Sequence, residues 1–197
     1  MTSPDLLEIF LAVPPGLEPL LLEEAKAKGF GPAEITPGGV TIRGGWPTVW
    51  RANLMLRGAS RVLVRIGAFR AMHLAQLDKR ARRFPWAETL LPDVPVKVEV
   101  TTRASRIYHA GAAAQRIETA IREELGAPVT DDAEQKIKVR IEDDLCTISL
   151  DTSGEPLHRR GHKEAVGKAP MRESLAALFL ARCGYRGTEP VVDPMCG

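Results

Sequence analysis

Cysteine is scarce and scattered in this chain. Cys146, Cys183 and Cys196 are odd in number, far apart, and form no CxxC pair. That spacing supports neither a disulfide framework nor a zinc site, and it fits a reducing compartment. Long apolar runs are missing too, so no stretch is suited to span a bilayer as a helix. The opening MTSPDLLEIF has no basic region followed by an apolar one, so a secretory signal is not expected. Cytoplasm is the expected location. Metal and hydrolase signatures are equally thin. His73, His109, His158 and His162 do not combine with the cysteines at a ligand spacing, and Gly161 interrupts the one close pair in HRRGH. No serine stands in a G-x-S-x-G elbow. Neither a metal nor a serine nucleophile is expected.

What is present is the composition of a folded protein. Hydrophobic residues make up 44% and charged residues 26% of 197, enough for one large domain or two small ones. The net charge of +2 conceals an uneven distribution. Residues 1–40 hold two Lys/Arg against six Asp/Glu, whereas 69–86 and 156–172 each hold five basic residues and one acid. Basic clusters of this kind suit nucleic acid, although solvated helix faces produce the same pattern.

The hydrophobic periodicity orders the chain. LEIFLAV (7–13) reads as a strand, and Leu17, Leu20, Leu21 and Ala25 then recur at helical spacing. EIT (34–36) and VTIR (40–43) are short strands, WPTVWRANLML (46–56) is a helix with proline in its first turn, and RVLVRIG (61–67) alternates as a strand. The order β-α-β-β-α-β is the ferredoxin-like arrangement. A second unit opens near His73 with a helix that Pro85 stops, followed by a strand in VPVKVEV (94–100). A helix from about Tyr108 to Gly126 and a hairpin made of KIKVRIE (136–142) and LCTISLD (145–151) complete it. A connector rich in glycine, proline and charge (151–170) leads to a helix in MRESLAALFLARCGY and a final strand running into DPMCG. Boundaries are expected at 1–69, 70–155 and 156–197.

DPMCG places a carboxylate just past a strand and before a glycine turn, where open α/β sheets bind nucleotide-like cofactors. An ordinary strand-to-loop turn would look the same. The surroundings narrow the choice. LHRRG (157–161), GKAP (167–170), Arg172–Glu173 and DPMCG (193–197) follow in an order and spacing that resembles bacterial THUMP-domain RNA methyltransferases. VPPGLEPLLLEEAKAKGF and GGV (38–40) resemble the opening of the same family, so the likeness covers essentially the whole chain. The members most like it modify guanine N2 in large-subunit ribosomal RNA.

The resemblance implies an α+β chain: a ferredoxin-like domain, a THUMP α/β domain, and the first helix and strand of a Rossmann-like methyltransferase domain. It implies S-adenosylmethionine as cofactor, with Asp193, Pro194, Cys196 and Gly197 starting its turn and Ala169 and Pro170 bordering it. The Ser/Thr-Gly-Thr that completes that turn is absent, as is the later N/D-P-P-Y/F loop, so the fragment is not expected to catalyse alone. His162 stands where the family often has an aromatic.

RNA is then the implied partner of the THUMP-like region. Lys79, Arg80, Arg82, Arg83, Arg103, Arg106, Lys136, Lys138 and Arg140 are candidate phosphate contacts. Lys136, Lys138 and Arg140 share one strand face by period two, which is also the pattern of a solvated half-buried strand. Arg82 and Arg83 beside Phe84 and Trp86 could join charge to base stacking, or the two rings could pack in the core. A non-catalytic RNA-binding module, or the front of a tRNA or DNA methyltransferase, would share much of this pattern.

Overall fold

The computed structural model describes residues 6–161 and 170–194. It forms two compact units: Met1–Leu63 together with Glu155–Gly197, and Val64–Gly154.

The first unit follows the expected β-α-β-β-α-β order: β1 (Leu7–Ala12), α1 (Glu18–Ala27), β2 (Ala33–Thr36), β3 (Gly39–Gly44), α2 (Trp46–Met55) and the start of β4 (Arg61–Arg70). The strand order is β2-β3-β1-β4. β1 pairs antiparallel with β3 from Leu7↔Gly44 to Ala12↔Gly39, and β2 pairs with β3 through Ile35↔Val40. The β2–β3 reversal uses Pro37 and Gly38, whose φ of +81° disfavours any residue with a side chain. Gly39 is needed for a different reason: a β-carbon there would collide with the Leu11 carbonyl and come within 2.6 Å of the Phe10 ring. The helices cover the sheet with Leu21 and Ala25 from α1 and Val49 and Ala52 from α2, all fully buried.

Residues of the connector pack into this same unit. Leu157 donates its backbone N–H to the Ser60 carbonyl at 2.9 Å. The Arg160 guanidinium donates to the carbonyls of Asn53, Leu54 and Leu56 at 2.8, 2.8 and 2.6 Å, where α2 ends. Another helix, α5 (Glu173–Arg182), buries Leu178 over Gly58. The strand expected to run into DPMCG does not form: residues 190–193 are irregular, with Val191 and Val192 exposed by 55% and 86%. A strand needs a neighbour for its backbone groups and cover for its β-branched side chains, and among the described residues neither is present.

In the second unit, β4 is followed by α3 (Leu74–Arg82), β5 (Val96–Arg103), α4 (Ala110–Ala120), β6 (Gln135–Glu142) and β7 (Leu145–Asp151). The strand order is β4-β7-β6-β5. β5 and β6 run parallel from Val96↔Gln135 to Arg103↔Glu142, and β6 and β7 form the expected hairpin. Asp143 and Asp144 turn that hairpin with φ of +50° and +59°, a pair of left-handed residues that matches the twist of the strands. β5 starts at Val96 rather than Val94 because Pro95 has no N–H to give a ladder; Val96 then bridges in parallel to Val129. α4 ends in a π turn at Ile121–Leu125 before Gly126. The core holds Leu77, Trp86, Ile117, Ile137 and Ile141.

Candidate nucleic-acid interface

α3 organises the basic cluster. Its Gln76, Lys79, Arg80 and Arg83 are spaced i, i+3, i+4, i+7 and therefore share one side, with Arg83 as the C-cap. Leu77 and Ala81 hold the opposite side in the core. His73 caps the helix, its Nδ1 accepting from the Gln76 N–H at 3.3 Å. The helix's C-terminal partial negative charge favours cations where Lys79, Arg80, Arg82 and Arg83 stand.

The stripe borders an open groove of about 860 Å³, whose other wall is the end of β4 from Ile66 to Phe69. Phe84 lies in it, half-exposed, because Gly67 leaves room: a β-carbon there would meet the Phe84 ring at 2.6 Å. Phe84 packs tilted against Phe69 at 6.2 Å and Trp86 at 4.5 Å between centroids. Trp86 is a packing residue, 2% exposed, with its indole N–H on the Ala81 carbonyl at 2.8 Å. The two aromatics thus take different parts, one lining the groove and one in the core.

The arginines of the cluster also divide. Lys79, Arg80 and Arg83 are exposed, and among the described residues none of them pairs with a carboxylate. Arg82 faces the other way, held by Glu123 at 2.5 Å, Asp78 at 3.1 Å and Glu124 at 3.2 Å. Those carboxylates, Glu123 foremost, raise its already high pKa further. Its charge is occupied inside the unit.

The remaining cations expected from sequence are also partnered. Lys138 bonds Glu99 and lies 3.9 Å from Asp151; Arg140 meets Glu142 at 2.7 Å, and Arg103 meets it at 3.7 Å. Lys136 reaches the Gly154 carbonyl at 3.5 Å. The Lys136–Lys138–Arg140 face is therefore a mixed one, with acids from β6 itself and from the neighbouring strands interleaved. Arg106 lies 3.7 Å from Asp144, whose carboxylate also accepts the Arg106 N–H and Ser105 hydroxyl at 2.9 Å each. Those bonds hold the Asp144 carboxyl below the usual range.

The cofactor turn expected from sequence is only partly covered. Ala169, Cys196 and Gly197 lie outside the described residues, as does His162. Pro170, Asp193 and Pro194 are exposed. Met171 and Asp193 share a groove of about 610 Å³ beside α5. With residues 190–193 irregular and both valines in solvent, the described residues do not build a cradle that fits a nucleotide cofactor, and no chemistry is assigned there. No group of three or more His, Cys, Asp or Glu suited to a metal occurs among the described residues. No helix among them is long and apolar enough to cross a membrane.

Comparison with known families matches three successive stretches of the chain. Residues 8–63 match the RlmL ferredoxin-like domain, residues 71–151 the THUMP domain, and residues 160–197 the RMKL-like methyltransferase domain. In order along the chain, then, it is similar to a ferredoxin-like domain, a THUMP domain and part of a methyltransferase domain. A relative in Syntrophotalea carbinolica, named ribosomal RNA large subunit methyltransferase K/L, is 36% identical over 203 residues, covering 97% of this chain and 28% of that protein. The chain spans about 28% of the length of the curated relatives it matches. Among solved structures, one described as a predicted N6-adenine-specific DNA methylase from Listeria monocytogenes superposes with a TM-score of 0.81 at 28% identity, covering 90% of this chain and 48% of that one. The fold is also that of SMU.472, solved in complex with SAH (TM-score 0.84, 22% identity, 99% and 53% covered).

Proposed function

We propose that this chain is the RNA-binding part of an S-adenosylmethionine-dependent methyltransferase that acts on guanine N2 of large-subunit ribosomal RNA in the cytoplasm. The observation that carries the reading is the stripe of Lys79, Arg80 and Arg83, without a carboxylate partner among the described residues, beside the Phe84 groove on the first helix of the THUMP-like region. Three free cations on one helix side suit a phosphate backbone, and a half-exposed ring beside them suits a base. Phosphate contacts position RNA; the catalytic chemistry belongs to the methyltransferase domain of the whole protein. Among the other basic residues, Arg82, Arg103, Arg106, Lys138 and Arg140 serve mainly to hold the second unit together, and Arg80 and Arg83 carry the contact. By this reading Asp193 and Pro194, with Cys196 and Gly197, form the cofactor turn, and Ala169 and Pro170 border it, only when the full domain surrounds them.

The curated relative's name supports ribosomal RNA, whereas the Listeria structure's description names DNA. A titration decides between them. Binding of this chain to a structured ribosomal RNA hairpin is measured over a salt series, with duplex DNA as competitor. RNA preferred over DNA, with affinity falling linearly in log–log salt, supports the reading. Equal or better binding to DNA would overturn it. Methyl transfer to RNA by this chain alone would overturn the division of labour.

A further inference from the structure

The ferredoxin-like unit presents a surface that its own folding does not require. α2 already has a buried side, Val49 and Ala52, with Leu56 buried just beyond its end. On the outward side Trp46, Trp50 and Leu54 recur every four residues, exposed by 41%, 65% and 77%. Large apolar side chains aligned in solvent mark a contact surface, and each indole offers a flat face to it.

Charge identifies the occupant. No Asp or Glu occurs between Glu34 and Asp78, and within this unit Arg43, Arg51 and Arg57 lie in that interval. Arg51 flanks the stripe, its guanidinium 4.8 Å from the Phe30 ring and an N–H on the Lys28 carbonyl at 3.1 Å. At its Leu54 end the stripe opens into a groove of about 680 Å³ that Lys28 and Arg57 also line. Neither of those side chains has a carboxylate partner among the described residues, and Glu173 is the one acid lining that groove. A second copy of the chain is disfavoured, because a twofold contact would set this cationic stretch against itself. Flat rings bordered by unpaired cations are the chemistry of a strand with stacked bases and a phosphate backbone.

We infer that α2 is a stacking platform for unpaired nucleotides of the bound RNA, with Trp46 and Trp50 under the bases and Lys28 and Arg57 along the phosphates. This rests on the RNA-binding reading above and extends it to the other unit. Two of the three tryptophans lie on the platform and the third, Trp86, is buried, so indole emission reports it directly.

The test uses the full 197-residue chain, a ribosomal hairpin with a single-stranded tail of about twelve nucleotides, within the span such stacking sites cover, and the same hairpin blunt-ended. The tail is expected to quench tryptophan emission. Trp50→Ala is expected to weaken binding of the tailed RNA about tenfold while leaving the blunt hairpin unchanged. Trp50→Phe keeps a ring and is expected to retain most of the affinity. Unchanged affinity for the tailed RNA in Trp50→Ala overturns the platform. If Lys79→Ala/Arg80→Ala/Arg83→Ala still weakens both RNAs, only the platform has failed; if neither variant alters any binding, the RNA reading has failed too. A change in sedimentation on Trp50→Ala with RNA affinity intact also overturns the platform and marks a protein contact.

Discussion

The guanidinium of Arg160 donates to the carbonyl of Leu56 across 2.6 Å, joining residues 104 apart in the chain. The same group reaches Asn53 and Leu54, so one side chain satisfies the carbonyls that α2 leaves open at its C-terminus. A cation is also the charge that end of a helix favours. Beside it, Glu24 accepts the backbone N–H groups of Arg57 and Gly58 at 2.7 and 2.9 Å. The chain leaving α2 is therefore held from both sides.

Arg160→Ala should destabilise the first unit by about 2 kcal/mol, the scale of removing charged hydrogen bonds from partly buried carbonyls. Arg160→Lys should recover only part, since one ammonium cannot span three carbonyls as a planar fork does. Arg159→Ala, next door, removes only an exposed pair with Glu155 and should change stability by less than about 0.5 kcal/mol. Urea unfolding followed by tryptophan emission measures all three.

Charge removal should act differently at Arg82 and its neighbours. Lys79→Ala/Arg80→Ala/Arg83→Ala should leave folding intact and lower the log–log salt slope of RNA binding by about 0.7–0.9 for each phosphate no longer neutralised. Arg82→Ala should lower the melting temperature, because Glu123, Glu124 and Asp78 are left facing one another. Its slope should stay near that of the unaltered chain.

Gly39→Ala should cost more than about 3 kcal/mol, since its β-carbon would strike backbone in β1 that cannot move without breaking the β1–β3 pairing. Gly111→Ala is the control. Its β-carbon would meet open space within α4, and the chain should gain up to about 1 kcal/mol from helix propensity. Thermal melts of both variants decide the comparison.

Burial pushes the Cys146 thiol up to about 12 from an ordinary value of 9.0. Between those values the folded chain keeps a proton that the unfolded chain has released. Stability from this group is thus complete below about pH 9 and declines as pH rises toward 12. Cys146→Ala should flatten that alkaline decline in urea unfolding. Mass-spectrometric mapping after iodoacetamide should find Cys183 modified in the native chain and Cys146 only after denaturant.

Most of the architecture is readable in the residues themselves. The alternation of Ile137, Val139 and Ile141 places β6, and Leu17, Leu21 and Ala25 place α1, because periodicity follows directly from which side meets the core. The Gly38–Gly39 pair announces a reversal, and its reason is a positive φ at one residue and a close approach at the other. The strand at 190–193 misleads for the converse reason: two valines describe a strand only where a sheet exists to receive them. The basic residues can be found from sequence but not sorted. Asp78 is four residues before Arg82 and suggests one pair, yet Glu123 and Glu124 reach Arg82 only through the π turn after α4.

By itself the sequence determined most of the order of helices and strands, the basic clusters and the recognisable motifs, all of which depend on neighbours within a few residues. The tertiary structure alone decided which cations remain available to a ligand. A charge is engaged or free according to the carboxylates and carbonyls that folding brings from about 40 to 100 residues away, as Arg82 and Arg160 show and as Lys79, Arg80 and Arg83 show by contrast.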